Sequence, residues 1–216
     1  MPEKVDYTQL PNATIKRLPQ YYRLFKRFVD DKITRTNSRE ISEEMGVDAA
    51  TVRRDFSLFG ELGRRGYGYE TNTMRDFFAF ILGNEVDVNI AIVGLGNLGS
   101  ALLHYPFQRR NKLRITQGYD VAGHPLVGTT TENEIPIYDI QTLGNHLQEA
   151  DIHTAILAVN TDHAQEAADK LVAAGVKGIL NFTPVLLQVP ASVYVQSIDL
   201  TKELQTLIFF MNNNPA

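Results

Sequence analysis

Three glycines, Gly94, Gly96 and Gly99, follow an apolar run at residues 88–93. The spacing Gly-x-Gly-x-x-Gly between a strand and a helix is typical of a turn that binds the pyrophosphate of a dinucleotide. The first glycine permits the tight turn, the second lets the backbone approach the phosphates, and the third lets the helix pack closely on the strand. The residues predicted to contact the cofactor here are Gly94, Leu95, Gly96, Asn97, Leu98 and Gly99.

A carboxylate ends the next predicted strand, Leu113 to Tyr119. Asp120 follows the last glycine of the turn by about twenty residues, where this fingerprint expects an acid. A carboxylate there binds ribose hydroxyls and repels a 2′-phosphate, and no arginine follows it to reverse that preference. The cofactor expected is therefore NAD(H) rather than NADP(H), although an acid at a strand end can also merely cap a turn.

The residues that a reaction on this cofactor needs are not evident in the sequence. A dehydrogenase places a general acid or base beside the nicotinamide. The five histidines are scattered without metal-ligand spacing, and the chain has no cysteine. The Tyr-x-x-x-Lys at Tyr22 to Lys26 lies ahead of the glycine turn. We therefore predict no metal site, and a cofactor that is bound by a protein that is not an enzyme.

A second group of candidates, Arg53, Arg54 and Ser57, lies on a predicted helix at residues 49–59. The apolar residues of this helix, Val52, Phe56 and Phe59, recur at helical spacing and are expected to point inward. An arginine side chain can bond O6 and N7 of guanine in the major groove, or a phosphate. The alternative is an ordinary charged surface.

Glycines at positions 63, 66 and 68 predict a tight hairpin with Arg64 and Arg65 at its tip. A basic tip beside such a helix is typical of a wing, and it suits the narrow minor groove of DNA. We expect Arg65 to make that contact.

The elements that must position these residues can be read from caps and periodicity. A first helix is predicted over Thr14 to Asp31, with Ile15, Leu18, Tyr22, Phe25 and Val29 as its apolar positions and with Pro19 disturbing its first turn. Asn37, with Glu40, should cap a second helix that ends at Met45-Gly46, and Asp48 should cap the third. Together the second and third helices predict a helix-turn-helix.

The back of the chain alternates strands and helices. A linking helix is predicted over Thr71 to Leu82; later come strands at 154–159, 176–182 and near Val193, with a helix at 162–174. The expected fold class is α/β: an N-terminal winged-helix DNA-binding domain plus a C-terminal Rossmann-type, doubly wound parallel sheet. The predicted domains are residues 1–84, the winged helix and linking helix; 85–200, the Rossmann domain; and 201–216, a dimerisation helix.

Charge and hydropathy limit the partners. The net charge is −4, but the residues up to Asp76 carry +2 and the rest carry −6. This asymmetry favours two domains with different partners, or is ordinary scatter. Apolar runs are too short to span a bilayer, and Met1 to Leu10 has no apolar signal core. The expectation is a cytoplasmic protein without a membrane partner.

The motifs quoted above are joined by three shorter ones along the chain. The full set is Thr51-Val-Arg-Arg-Asp-Phe-Ser-Leu-Phe-Gly60, Gly63-Arg-Arg-Gly-Tyr-Gly-Tyr69, Ile92-Val-Gly-Leu-Gly-Asn-Leu-Gly99, Tyr105-Pro106, Gly178-Ile-Leu-Asn-Phe-Thr-Pro184 and Ser197-Ile-Asp-Leu200. In this order they resemble the Rex family of redox-sensing transcriptional repressors, over essentially the whole chain.

The resemblance implies a homodimer that binds an inverted-repeat DNA operator when NADH is scarce and leaves it when NADH binds. It implies that Arg53 and Arg54 belong to the recognition helix and Arg65 to the wing. It also implies a switch in which Asp199 exchanges Arg23 for Tyr105 when NADH is present.

Two departures from the family pattern concern the cofactor. The family often has Asp-x-Asp after the second strand, where this chain has Asp120-Val-Ala-Gly, and often has phenylalanine where Leu200 stands. We expect Tyr105, Phe182, Pro184 and Leu200 near the nicotinamide. An apolar pocket there would select NADH, because the nicotinamide ring of NAD⁺ carries a charge that is costly to bury.

The last helix, predicted over Thr201 to Asn212, has more apolar surface than a terminal helix can bury alone. Either its own domain buries one face, or the helix is swapped and packs between the two domains of the partner, as the resemblance implies. Two other functions stay open at this point: a small NAD-dependent oxidoreductase with an accessory N-terminal domain, and a nucleotide-independent repressor with a vestigial Rossmann domain.

Overall fold

The computed structural model describes residues 9–63, 66–107 and 112–213. The chain divides between Val86 and Asp87 into two compact units, which are described separately. Within the described residues, no helix is both long and apolar enough to cross a membrane.

The first unit is helical with one small sheet. Its elements are α1 (Asn12–Asp30), β1 (Arg35–Thr36), α2 (Ser38–Met45), α3 (Ala49–Ser57), β2 (Tyr69–Glu70) and α4 (Thr71–Ile81). Aromatic side chains dominate its core, where the rings of Tyr21, Phe25, Phe56 and Phe78 contact one another. The helix predicted as a linker, α4, packs against α1 and buries Phe78 completely, so it belongs to this core.

The apolar stripe predicted for α1 is partly wrong. Leu18 and Phe25 are buried as expected, but Ile15 is exposed. The buried face runs instead through Thr14, Leu18, Tyr21, Leu24, Phe25 and Phe28. Pro19 lies inside the helix on its exposed side, and the helix begins two residues earlier than predicted.

The structure confirms the predicted helix-turn-helix and the side-chain cap of its first helix, α2. The side chain of Asn37 accepts hydrogen bonds from the backbone of Arg39 and Glu40, and the Glu40 carboxylate accepts one from the Asn37 N–H, which is a capping box. Gly46 ends α2 in the left-handed region, at φ +65°. Asp48 precedes α3 as predicted, but its side chain makes no capping hydrogen bond. Helix α3 ends at Ser57 rather than at Phe59, which is nevertheless buried.

The glycine-rich segment after α3 returns to the sheet at β2. This strand pairs antiparallel with β1, the segment just ahead of α2, with Arg35 opposite Glu70 and Thr36 opposite Tyr69. The predicted tip residues, Arg64 and Arg65, lie outside the described residues.

Asp55 is the one charged residue that is buried in the described part of this unit. Its carboxylate is 2% exposed and lies between α3, which carries it, and α1. It accepts hydrogen bonds from Thr14 Oγ1 at 2.8 Å, from Tyr21 Oη at 2.7 Å, and from Arg17 Nε and Nη2 at 2.6 and 2.7 Å. Burial alone would raise the pKa of Asp55, but the bonds from Arg17, Tyr21 and Thr14 outweigh it and hold the pKa below its ordinary value.

The second unit is a parallel six-stranded sheet. Its strands are β3 (Val88–Val93), β4 (Leu113–Asp120), β5 (Ile137–Asp139), β6 (Thr154–Leu157), β7 (Gly178–Asn181) and β8 (Tyr194–Ser197). Its helices are α5 (Asn97–Leu103), α6 (Leu143–Glu149), α7 (Ala164–Ala173) and α8 (Leu200–Asn213). The strand order is β5-β4-β3-β6-β7-β8, with every neighbouring pair parallel. This is the doubly wound Rossmann order, which confirms the predicted fold class.

Two elements of this unit were not predicted, the edge strand β5 and the helix α6. Ile137 and Leu143 are buried, so both elements belong to the core. The terminal helix α8 buries none of its side chains within the described residues.

We expect Asp55→Ala to destabilise the first unit by about 2–4 kcal/mol, because it leaves two buried hydroxyl groups, and the partly exposed Arg17 guanidinium, without an acceptor. Urea unfolding measures the change. As the pKa of Asp55 is lowered in the folded state, its contribution is complete at neutral pH and shrinks as the pH falls below about 4. Asp48→Ala is the matched control: it also removes an aspartate at α3, but one with no side-chain hydrogen bond. Equal losses for the two variants would contradict a central role for Asp55.

Candidate functional site

The glycine turn lies at the carboxyl end of β3, where the strand order changes direction between β3 and β6. Gly94 has φ +92°, and a Cβ there would lie 2.5 Å from the carbonyl oxygen of Ala158, which follows β6. A Cβ on Gly99 would overlap the carbonyl oxygen of Gly94. Around Gly96, by contrast, no atom lies within 4 Å of a Cβ position. Two glycines are therefore required by the packing of the protein itself, and the third leaves open space in front of the turn.

Asp120 binds the turn directly. Its Oδ2 accepts a hydrogen bond from the backbone N–H of Leu95 at 2.6 Å, and its Oδ1 accepts one from Val121 at 2.7 Å. The carboxylate thus orients the glycine turn. Each oxygen keeps a second lone pair that can accept a hydroxyl. Sequence reasoning assigned the ribose contact to this residue and missed the bond to Leu95.

A cleft of about 450 Å³ opens beside the turn. Its lining includes Gly94, Gly96 and Asp120 together with residues from the segments after β5 and β6. Gln141, Glu166 and Lys170 also line this cleft. There Lys170 Nζ lies 2.9 Å from Glu166 Oε1 and 3.5 Å from Gln141 Oε1. The hydrogen bond from Lys170 lowers the pKa of Glu166.

These lining residues were not predicted as site residues. The signal that could have found them is topological, since loops at the carboxyl ends of parallel strands meet at the point where the strand order reverses. Ile140 and Gln141 follow β5, and Asn160 and His163 follow β6. The missed strand β5 explains part of the omission.

The four residues predicted near the nicotinamide are not part of this cleft lining. Tyr105 is 59% exposed and contacts the ring of Phe107, with centroids 4.5 Å apart. Phe182 is half-buried, whereas Pro184 and Leu200 are exposed. The structure thus places these side chains at the surface of the second unit and does not gather them into one pocket.

A buried amide holds the loop that carries Phe182 and Pro184. Asn181 donates from Nδ2 to the carbonyl of Val185 at 2.9 Å. Its Oδ1 accepts from the backbone N–H and the hydroxyl of Thr183, at 2.9 and 2.8 Å. The loop conformation is therefore fixed by side-chain bonds, which the sequence pattern did not reveal.

The other two predicted switch residues, Asp199 and Arg23, make hydrogen bonds within their own units. Asp199 precedes α8, and its Oδ1 accepts hydrogen bonds from the backbone of Thr201 and Lys202 at 3.0 and 3.1 Å. Arg23 is exposed on α1, where its Nε donates to the carbonyl of Pro19 at 3.3 Å. Asp199 thus caps the last helix, a role that the sequence pattern did not indicate.

The predicted DNA-binding residues of α3 lie at the surface. Arg53 and Arg54 are both exposed, and Arg53 Nη1 donates to Ser38 Oγ at 3.0 Å. Ser57 is exposed too, with its hydroxyl bonded to the carbonyl of Arg54 at 2.7 Å. A cleft of about 670 Å³ runs between α3 and the glycine-rich segment. The part of the chain that the structure describes holds no cluster of histidine and carboxylate residues suited to a metal ion.

Two family models match the chain. Residues 9–57 match the model described as "Putative DNA-binding protein N-terminus", and residues 85–185 match the "CoA binding domain". The matched ranges correspond to the two units seen in the fold.

Curated relatives match over nearly the whole chain. The chain is 65% identical to the redox-sensing transcriptional repressor Rex of Lactococcus lactis subsp. cremoris (strain SK11), over 95% of each chain. It is 55% identical to the Rex repressor of Streptococcus uberis, over 95% of this chain and 96% of the relative.

Solved structures of a Rex-family repressor, RSP, have the same fold. RSP in complex with β-NAD⁺ and operator DNA gives a TM-score of 0.88 at 33% identity, covering 94% of this chain and 93% of that one. RSP in complex with β-NADH gives a TM-score of 0.83 at 32% identity, covering 94% and 95%. At these levels of identity and coverage, the chain belongs to the Rex family of redox-sensing transcriptional repressors.

Proposed function

We propose that this protein binds a palindromic operator when NADH is low and leaves it when NADH binds, so that it reports the ratio of NADH to NAD⁺ to transcription. The observation that carries the proposal is the pairing, in one chain, of an exposed arginine pair on α3 with a glycine turn that is open in front of Gly96. The RSP complexes support both ligands. Although one matching family model is described by coenzyme A, these complexes favour NAD(H).

The cofactor acts in this proposal as a signal and not as a reactant, so the protein is not an enzyme. Its relatives are named repressors, which supports this assignment. Since a repressor works where the operator lies, we also propose the cytoplasm as its compartment.

For DNA recognition we propose Arg53, Arg54 and Ser57 in the major groove and Arg65 of the wing in the minor groove, with Arg64 as a further DNA-binding residue of the wing. The exposure of the first three supports this role. On a symmetric dimer, two such helices would meet two half-sites related by the two-fold axis, so the operator should be an inverted repeat.

For transmission we propose that Asp199 pairs with Arg23 in the operator-binding form and with Tyr105 when the reduced nicotinamide enters. Asp199 caps α8 through Oδ1, and its Oδ2 carries no hydrogen bond within the described chain. That oxygen can therefore change partner while the cap stays in place. A ligand shifts such an equilibrium only by the difference in its affinity for the two arrangements.

Operator binding titrated with NADH at several fixed NAD⁺ concentrations tests the function. We expect release at a ratio of the two cofactors rather than at a fixed NADH concentration. Tyr105→Phe should still bind NADH but should need more bound NADH for release, because it lacks the hydroxyl that draws Asp199 away. Tyr194→Phe, which alters another exposed tyrosine of the second unit, is the control. If Tyr105→Phe and the wild type release DNA at equal NADH occupancy, the proposed switch is wrong.

The glycine turn offers a sharp test of cofactor binding. Gly96→Ala should fold normally, because its Cβ meets no protein atom within 4 Å. A methyl group in front of the turn should nevertheless cost about 1–3 kcal/mol of NADH binding, or about five- to 150-fold in affinity. NADH fluorescence and a melting curve measure the two effects.

Gly144→Ala is the matched control for that substitution. It also adds a methyl group that meets nothing within 4 Å, but on α6. NADH affinity equal to that of the wild type in Gly96→Ala would remove the glycine turn as the pyrophosphate site.

For the nicotinamide we keep the apolar contacts Phe182, Pro184 and Leu200, and for the ribose Asp120. Phe182, Pro184 and Leu200 do not form one pocket in this chain, so the proposal requires that the cofactor or a partner chain brings them together. Like-charge repulsion at Asp120 would disfavour the 2′-phosphate of NADPH.

We propose that α8 is the dimerisation helix, swapped between the two chains. Seven apolar side chains on it are more than half exposed: Leu200, Leu204, Leu207, Ile208, Phe209, Phe210 and Met211. They surround most of the helix, which is typical of a helix that is buried on several sides. The first of the two sequence-based alternatives, burial by its own domain, finds no support, because no described residue of α8 is buried.

Leu204→Glu combined with Ile208→Glu should convert the protein from a dimer to a monomer, because both changes place charges on the face that the partner would cover. Sedimentation measures the mass. Lys202→Glu is the control, because it adds a carboxylate to the first turn of the same helix, where it is favourable. Retention of NADH binding would show that the second unit of the double variant is folded. A dimer of unchanged stability would refute the role of α8.

A further inference from the structure

We propose that Arg35, whose guanidinium is held on the ring of Tyr67, binds a backbone phosphate of the operator. This inference rests on the proposed function, because it adds a contact to the same DNA-binding surface. Nothing in the motifs of the sequence singles out Arg35, and the observations that do so are its partners, its place in the sheet and the cleft that it lines.

The described arginines of the first unit fall into two sets. In one set each guanidinium is paired with a carboxylate: Arg17 with Asp55, Arg27 with Glu44, Arg39 with Glu43, and Arg75 with Asp76. The other set has no carboxylate partner within the described residues: Arg23, Arg35, Arg53 and Arg54. Three members of the second set already have a role in the proposed function. Arg35 is the fourth.

The backbone of Arg35 is held on both sides. It lies in β1 opposite Glu70 of β2, so it is joined to the end of the glycine-rich segment. Two residues later, Asn37 caps α2 through the capping box. Arg35 therefore lies at the junction of the helix-turn-helix and the wing, and its Cα cannot move independently of either.

The side chain of Arg35 is held as well. Its guanidinium carbon lies 4.1 Å from the centroid of the Tyr67 ring, a cation–π contact. Such stacking occupies the flat face of the guanidinium and leaves its N–H groups, which lie in the plane, free to donate. The ring itself is 63% exposed, so the stacked pair stands at the surface. An anion can reach it without the loss of any existing hydrogen bond.

Arg35 and Tyr67 line the same cleft as Arg53 and Ser57 of the recognition helix. Two carboxylates also line this cleft. That of Glu40 accepts hydrogen bonds from Thr36 Oγ1 and from the N–H of residue 37 in the capping box. The second carboxylate, that of Glu61, offsets part of the positive charge in the cleft. Arg35 and Arg53 are the cationic groups of the lining, and they are the ones that would bind a phosphate there.

A phosphate is the expected ligand rather than a base edge. The strand pairing and the Tyr67 ring together fix the position of the Arg35 guanidinium at the surface. A fixed cation of this kind suits a phosphate contact that sets the register of the protein on the duplex. The loss of such a contact weakens binding to all sequences equally, and it reduces the dependence of binding on salt.

The test measures operator affinity of the full-length protein by fluorescence anisotropy over a series of salt concentrations. Arg35→Ala should lose about tenfold in affinity, and the slope of log K against log salt should fall by about one for each protomer. Tyr67→Ala should show part of that loss and Tyr67→Phe none, because the ring and not the hydroxyl holds the guanidinium. The double variant Arg35→Ala/Tyr67→Ala should bind no more weakly than Arg35→Ala.

Arg39→Ala is the matched control, because its side chain is exposed but paired with Glu43. If Arg35→Ala keeps the slope and affinity of Arg39→Ala, the inference is overturned. A loss confined to A·T-rich sites would also overturn it, in favour of a minor-groove contact. NADH binding and melting temperature should be unchanged in every variant. Failure of the wild type itself to bind an inverted repeat would instead refute the proposed function.

Discussion

The buried carboxylate of Asp55 is the interaction on which the DNA-binding unit depends. It sits on α3, the proposed recognition helix, directly after Arg53 and Arg54, and its three partners all lie on α1. A bidentate pair with Arg17 fixes the orientation of one helix against the other as well as their distance. An aromatic core can accommodate small rotations of a helix, whereas this set of four hydrogen bonds admits one arrangement. The helix that presents the arginines is thus held by the residue next to them.

In the second unit, the three glycines of the turn divide into two that the fold requires and one that it does not. Gly94 and Gly99 are needed so that β3, α5 and the segment after β6 can approach one another, and Asp120 holds the turn through the N–H of Leu95. Of the three glycines of the turn, only Gly96 faces open space. A substitution at the first two positions would disturb the fold and the site together, and it would say little about either. Gly96 is the position where the fold tolerates a side chain. A substitution there therefore tests cofactor binding without disturbing the fold.

The sequence predicted the features that depend on local pattern. The bounds of β3, the capping box at Asn37 and the glycine turn all follow from neighbouring residues, and the structure has them as expected. The elements β5 and α6 were missed because three and seven residues are too short for a period to show. The stripe on α1 was misplaced because Leu18 and Phe25 fit two helical faces, and the choice between them depends on Thr14 and Tyr21, which bond to Asp55. That carboxylate is 34 residues from Tyr21 in the sequence, and no local pattern encodes the contact.

The exposed helix α8 and the proposed switch are linked by one residue. Asp199 caps α8 through Oδ1, so any movement of its backbone is also a movement of the first turn of that helix. If α8 is covered by a second chain, as we propose, the proposed nicotinamide contacts and the dimer interface share a residue at their boundary. We propose that a change of partner at Oδ2 alters the charge balance near the cofactor and, where it moves the backbone of Asp199, also moves the first turn of α8, which stays bonded to Oδ1. Because a packed interface has discrete arrangements rather than a continuous range, we propose that a small change at this carboxylate selects between two dimer geometries. The proposed sensor needs no long pathway through the protein for this step.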